Sequence, residues 1–164
     1  MNIWLAALAA VLIQPLVLLL RFLPDYVASP GPLRGLGFLL IAVVAVAAAV
    51  VLILGVPVFL LLRRYQRVGW GSLALAGALL GGLVAVFSWP REIEGYSAGH
   101  SWHGRHVDTY IDGIPTTYAW LTYGENVLFF ALHGLIGALV FYAVWRRQEG
   151  PNNSLKRPHQ SLRD

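Results

Sequence analysis

The chain has 164 residues, 57% of them hydrophobic and 12% charged, with a formal net charge of +4 and no cysteine. A soluble domain carries about 25% charged residues, and so few charges cannot cover a surface of this size, so lipid rather than water is the expected solvent. The missing cysteine excludes disulfides, thiolate metal sites and thiol nucleophiles. The basic excess lies at membrane flanks, where orientation explains it without nucleic acid. Of the twelve basic residues only Lys156 is lysine, and the bias toward alanine, leucine, glycine and arginine suits a GC-rich bacterial genome.

Four apolar runs follow one another. They are IWLAALAAVLIQPLVLLL from residue 3, LGFLLIAVVAVAAAVVLILGVPVFLLL from 36, GSLALAGALLGGLVAVFSW from 71 and NVLFFALHGLIGALVFYAVW from 126. About 20 helical residues cross a hydrocarbon core of about 30 Å. The pattern predicts an all-α membrane protein with four transmembrane helices at about 3–22, 36–62, 71–89 and 126–146. An exoplasmic loop over 90–125 and a disordered polar tail over 149–164 complete the chain. Run two is longer than one crossing needs, so it should tilt or kink near Gly55, Val56 and Pro57. Run one lacks the basic n-region of a signal peptide, and Pro30 would follow its candidate cleavage site, so it reads as a retained helix.

Arginine sets the orientation. Arg63, Arg64 and Arg67 follow run two, and Arg146, Arg147, Lys156, Arg157 and Arg163 follow run four. The other side carries only Arg21, Arg34, Arg91 and Arg105. The richer side is cytoplasmic. Both termini are then cytoplasmic, in a bacterial inner membrane, and the histidine-bearing loop is exoplasmic. Trp4, Trp70, Tyr142 and Trp145 fall at the inner ends, Trp89, Trp120 and Tyr123 at the outer ends, as headgroup-level aromatics do.

Helices in lipid associate through close packing and polar contacts. Gly77 and Gly81 form a small-residue face on run three, and Gly134 and Ala138 a similar one on run four, for packing within the chain or in a homo-oligomer. Gln14 and His133 are the polar side chains deep in the apolar runs. Gln14 lies about 16 Å from Ile3 and His133 about 18 Å from Trp145, so both reach one depth and suit a hydrogen-bonded pair. The functional alternative is a proton relay or pH sensor at His133.

The loop is long for a connection. Asp112-Gly113 predicts a two-residue turn with positive φ at both positions, with Ile111 facing Ile114, Thr109 facing Thr116 and Val107 facing Tyr118. The stretch GHSWHGRH, residues 99–106, holds His100, His103 and His106. Residues spaced three apart converge on no regular backbone, but a loop bounded by Gly99 and Gly104 could bring them together with Asp108. Those ligands suit zinc, copper or nickel, although the spacing matches no usual closed zinc pattern. The alternatives are a solvated loop or a pH-responsive one. GYSAG at 95–99 has the letters of a nucleophile elbow without the strand before it and helix after it. No phosphate loop, nucleotide fingerprint or haem-attachment motif is present.

The reading is a non-enzymatic integral membrane protein that docks or senses through its exoplasmic loop, with the lipid bilayer and a protein partner or second copy as its contacts. The alternative is a small oligomeric transporter or channel passing protons or metal ions by way of His133 and the exoplasmic histidines. That path would need several intramembrane polar residues.

Overall fold

The computed structural model describes residues 2–28 and 35–149. The expected polar tail after Glu149 lies outside the described residues. In chain order the elements are α1 (Ile3–Ala28), α2 (Leu36–Val50), a π-helical turn (Val51–Gly55), α3 (Val56–Arg64) and α4 (Trp70–Val86). Strands β1 (Ala98–Trp102), β2 (Arg105–Ile111) and β3 (Ile114–Pro115) follow, and then α5 (Thr117–Glu149). The protein is mostly helical, with one antiparallel sheet in the order β1-β2-β3.

Three helical segments are long and apolar enough to cross a membrane: Ile3–Arg21, Leu36–Arg64 and Thr117–Gln148. α4 is equally apolar but has 17 residues, a rise of about 26 Å. The segment Leu36–Arg64 is continuous, and its irregularity near Gly55, Val56 and Pro57 is the π turn. Val56 N–H donates to Val51 O, five residues back. Pro57 has no N–H to offer Ile53, and its ring crowds that carbonyl. A wider turn just upstream is a common answer to such crowding.

The described residues form two compact units, one drawn from Met1–Gly77 and Leu135–Asp164, the other from Ala78–Gly134. The core of the first is aromatic on alanine. Phe59 is buried edge-on against Phe141 and Trp145, with ring centroids 4.9 and 5.2 Å away. Ala6, Ala7 and Ala10 of α1 and Leu73 of α4 close the cluster. Buried positions 6, 7, 10, 11, 14 and 18 lie along one stripe of α1, the pattern of a helix with a single packed face. The segment from Leu36 to Gly55 is strongly apolar and open: Phe38 is 80% exposed and Ile53 69%. α2 buries no residue at all. Such surfaces are costly in water and ordinary in lipid.

The second unit is built on a close helix crossing. A Cβ at Gly81 would overlap the Phe130 carbonyl and come within 3.1 Å of Gly134 Cα. Gly82 faces Ala131 and Val127 at ordinary contact distance. The small residues let the two backbones meet directly, which is where dispersion contacts are densest.

Several bounds differ from the sequence reading: α1 runs to Ala28 rather than about 22, and α4 ends at Val86 rather than 89. α5 begins at Thr117 rather than near 126, so residues 117–125 are helix and not loop. The sheet is also larger than one hairpin. The turn at Asp112-Gly113 is present, with φ of 48° and 87°, and Ile111 pairs with Ile114. The proposed pairing of Val107 with Tyr118 is replaced, because Tyr118 belongs to α5 and Val107 pairs with His100 on β1.

The crossing is testable by substitution. Gly81→Ala is expected to lower stability in detergent by about 1–3 kcal/mol through overpacking. Gly71→Ala, whose Cβ meets nothing within 4 Å, should be neutral or stabilising by up to about 1 kcal/mol. Equal thermal unfolding midpoints for the two variants would contradict the close approach.

Candidate functional site: the cleft between the sheet and α5

β1 alternates cleanly. Ala98, His100 and Trp102 are half-buried, while Gly99 and Ser101 are exposed. β2 does not alternate. Gly99 pairs with Asp108 but Ala98 with Tyr110, so Thr109 is an extra, unpaired residue. A bulge of this kind re-aims side chains. Here it leaves Thr109 and Tyr110, neighbours in sequence, both half-buried. Thr109 Oγ1 locks the bulge by donating to Ala98 O at 3.0 Å.

Ala119, Thr122, Tyr123 and Asn126 share one face of the first turns of α5 by their spacing. With Ser88, Pro90, His100, Thr109 and Tyr110 they line an open cleft of about 210 Å³. No lysine, arginine, aspartate or glutamate is among the lining residues. The hydroxyls differ in their commitments. Ser88 Oγ donates to Ala85 O at 2.7 Å, and Thr109 is committed at the bulge. Thr122 Oγ1 is buried without a hydrogen-bond partner. Such a group costs about 1–3 kcal/mol if nothing satisfies it.

Tyr123 also belongs to an aromatic cluster. Trp89 lies edge-on to Trp120 at 5.0 Å and to Tyr123 at 5.9 Å. The geometry is the edge-to-face arrangement that aromatic quadrupoles favour. The cleft therefore has one wall of hydrogen-bonding groups and one ring shared with an aromatic platform.

Both ends of the sheet are fastened. At one end Glu125 holds the tip of the β1–β2 hairpin. Trp102 Nε1 donates to its Oε2 at 3.0 Å, and His103 Nε2 lies 2.7 Å from its Oε1. The Trp102 ring also packs edge-on against Tyr118 at 5.5 Å. At the other end the Asp112-Gly113 turn is tied to the segment before β1. Ile93 N–H donates to Gly113 O at 3.0 Å, Gly113 N–H to Tyr96 O at 2.7 Å, and Asp112 N–H to Ser97 Oγ at 3.0 Å. Gly113 has no room for a side chain, since its Cβ would lie 2.5 Å from Ile93 O.

The three loop histidines occupy three different surroundings. His100 lines the cleft, and His103 sits in the tip turn on Glu125. His106 projects from β2, with Nε2 3.8 Å from Asp108 Oδ1, both side chains largely exposed. Among the described residues no three His, Cys, Asp or Glu side chains gather as a metal site. Gln14 is buried in the first unit, where Nε2 donates to Ala10 O at 3.3 Å. A Cβ on Gly137 would lie 2.7 Å from that nitrogen. His133, in the second unit, has Nδ1 3.0 Å from Phe129 O and its ring 4.2 Å from the Phe129 ring. Gly77 is buried on α4 and Ala138 half-buried on α5.

Sequence reasoning missed Thr122, Tyr123, Glu125 and Asn126 as a group. The signal was the spacing 119, 122, 123, 126, which carries meaning only once 117–125 is helical. No protein-family model matches this sequence, no curated protein matches it, and no solved structure is similar to it.

The Glu125 fastening generates a local prediction. Exposed pairs of this kind contribute up to about 1 kcal/mol. Glu125→Ala is therefore expected to speed amide hydrogen exchange at the β1–β2 tip roughly fivefold, with the Asp112-Gly113 end unaffected. Unchanged exchange at the tip would show that Glu125 does not hold it.

Proposed function

We propose that the chain is a four-span protein of the bacterial inner membrane with both termini cytoplasmic, working as an accessory rather than as an enzyme. Its polar module, from the end of α4 to the first turns of α5, would dock or sense on the exoplasmic side. One observation carries the reading: a chain with long apolar helices also folds a fastened sheet with a polar cleft in the segment between α4 and α5. A sheet that served only to connect two helices would need neither the fastening at both ends nor the bulge. The arginine distribution supports the orientation.

The fourth crossing is assigned to α4. At about 26 Å it is slightly short of the hydrocarbon core, a mismatch that bilayer thinning and flanking aromatics accommodate at modest cost. Phe87, Trp89 and Trp70 flank it and are exposed. Passage of protons or metal has less support, because Gln14 and His133 are the polar side chains deep in the apolar runs and conduction needs more.

Reporter fusions test the α4 crossing. Alkaline phosphatase joined after Arg67 should be inactive and after Arg91 active; equal activity at both would mean that α4 does not cross. Purification from native membranes tests the accessory role. A stoichiometric partner is the expected result, and a lone homo-oligomer carrying zinc or copper would overturn it in favour of transport.

A further inference from the structure

Two apolar spans close on arginine. The span Leu36–Arg64 ends with Arg63 and Arg64, and the span Thr117–Gln148 with Arg146, Arg147 and Gln148. Packing brings the two ends to the same end of the first unit. Phe59 lies edge-on to Trp145, with ring centroids 5.2 Å apart. Arg63 is one turn beyond Phe59 on the same face of α3, and Arg146 directly follows Trp145. The turn after α3 carries Arg67 and returns the chain to the same place, since Trp70 is edge-on to Tyr142 at 4.6 Å. Ser72 fixes that turn: its Oγ donates to Arg67 O at 2.5 Å and accepts from Gly69 N–H at 3.1 Å. The start of α1 joins them, with Asn2 N–H donating to Gln148 Oε1 at 2.9 Å.

Arg63, Arg64, Arg67, Arg146 and Arg147 therefore gather at one end of one packed unit. All five are exposed. Among the described residues none of their side chains enters an ion pair or a hydrogen bond. Residues 63–70 and 146–149 contain one carboxylate, Glu149. A guanidinium presents its donors as a planar fork that matches two phosphate oxygens at once. Depth matters as much as charge. The ends of apolar spans mark where hydrocarbon gives way to headgroups. Trp4, Tyr65 and Trp70 are exposed at this end, as aromatics at the headgroup level are. Below the arginines of α3, Leu60 and Leu61 offer open apolar surface. Orientation asks only for basic residues on one side. It does not ask that helices far apart in sequence bring them together.

We propose that the ends of α3 and α5 together bind the phosphodiester headgroup of an anionic phospholipid. Arg63 and Arg64 hold it from one helix, Arg146 and Arg147 from the other, and Arg67 from the turn between α3 and α4. A lipid is the occupant rather than a free anion, because the cations stand at the hydrocarbon boundary with apolar surface beneath them for acyl chains. Basic pockets between membrane helices are suited to such headgroups. The assignment goes beyond the docking or sensing role and does not depend on it.

The test uses the full chain in a neutral detergent, titrated with phosphatidylglycerol, cardiolipin or phosphatidylcholine. Bound lipid is counted by native mass spectrometry. Saturable binding of the anionic lipids, in preference to phosphatidylcholine, is expected. Arg146→Gln combined with Arg147→Gln should weaken it about thirtyfold. Arg146→Lys combined with Arg147→Lys keeps both charges and loses both forks, and should weaken it about fivefold. Arg91→Gln combined with Arg105→Gln removes the same charge from the second unit and should leave binding unchanged. All four substituted side chains are exposed, and near-UV circular dichroism of Trp70, Tyr142 and Trp145 reports that the variants remain folded. Equal binding of all three lipids overturns the proposal. So does an equal loss in the two glutamine pairs, or no loss in the lysine pair, since either means diffuse attraction. Displacement of the lipid by inorganic phosphate at equal concentration would assign a free anion and overturn the lipid as occupant. Binding is measured on purified protein, so its failure leaves the fusion and purification results standing, and a reversed topology leaves the binding result standing.

Discussion

The close approach of α4 to α5 at Gly81 is the contact on which the second unit depends. Where apolar helices meet in lipid, the hydrophobic effect does not press them together, because lipid tails are as apolar as leucine. What remains is direct packing, and it requires a residue with no side chain. Gly81 meets the Phe130 carbonyl and Gly134, while Gly82 faces Ala131 and Val127. With the two backbones set by that contact, Trp89 meets Trp120 and Tyr123 edge-on. The same arrangement brings Ser88 and Pro90 beside the first turns of α5, and these form the floor of the cleft.

The sheet completes the cleft with few residues. A short two- or three-stranded unit is marginal when it stands alone. This one is fastened at its tip by Glu125 and at its other end by backbone hydrogen bonds to Ile93 and Tyr96. The bulge at Thr109 gives up regular pairing at one position. It gains a second side chain on the inner face. Meanwhile the first unit follows another rule, with alanines of α1 receiving the aromatic rings of Phe59, Phe141 and Trp145.

Much of the chain was legible in its residues, for identifiable reasons. Long apolar runs announce helices, because only intrasegment hydrogen bonds satisfy the backbone in lipid. Asp112-Gly113 announces its turn, because both positions need positive φ. His103-Gly104 makes an equivalent turn, with φ of 48° and 78°, but histidine is a weaker turn signal than asparagine or aspartate. The β1–β2 hairpin was therefore not foreseen. The start of α5 was missed for a different reason. Thr117, Tyr118, Trp120, Thr122 and Tyr123 favour strands, and Tyr118 fitted opposite Val107 by simple alternation. Packing of Trp120 and Tyr123 on Trp89 and of Tyr118 on Trp102 overrides that local preference. The histidine triplet illustrates the limit of spacing. It shows that no regular backbone gathers His100, His103 and His106, but the separate surroundings of each depend on the hairpin.

In the proposed arrangement the sheet and cleft form a module outside the membrane, carried on helices that cross it. The absence of native cysteine makes the measurement direct. Single cysteines placed at Ser101, exposed on β1, and at Gln66, exposed after α3, are treated in intact cells with a membrane-impermeant maleimide. The cysteine at 101 should label at once and the cysteine at 66 only after the membrane is permeabilised. Labelling of 66 but not 101 in intact cells, or of both alike, would contradict it.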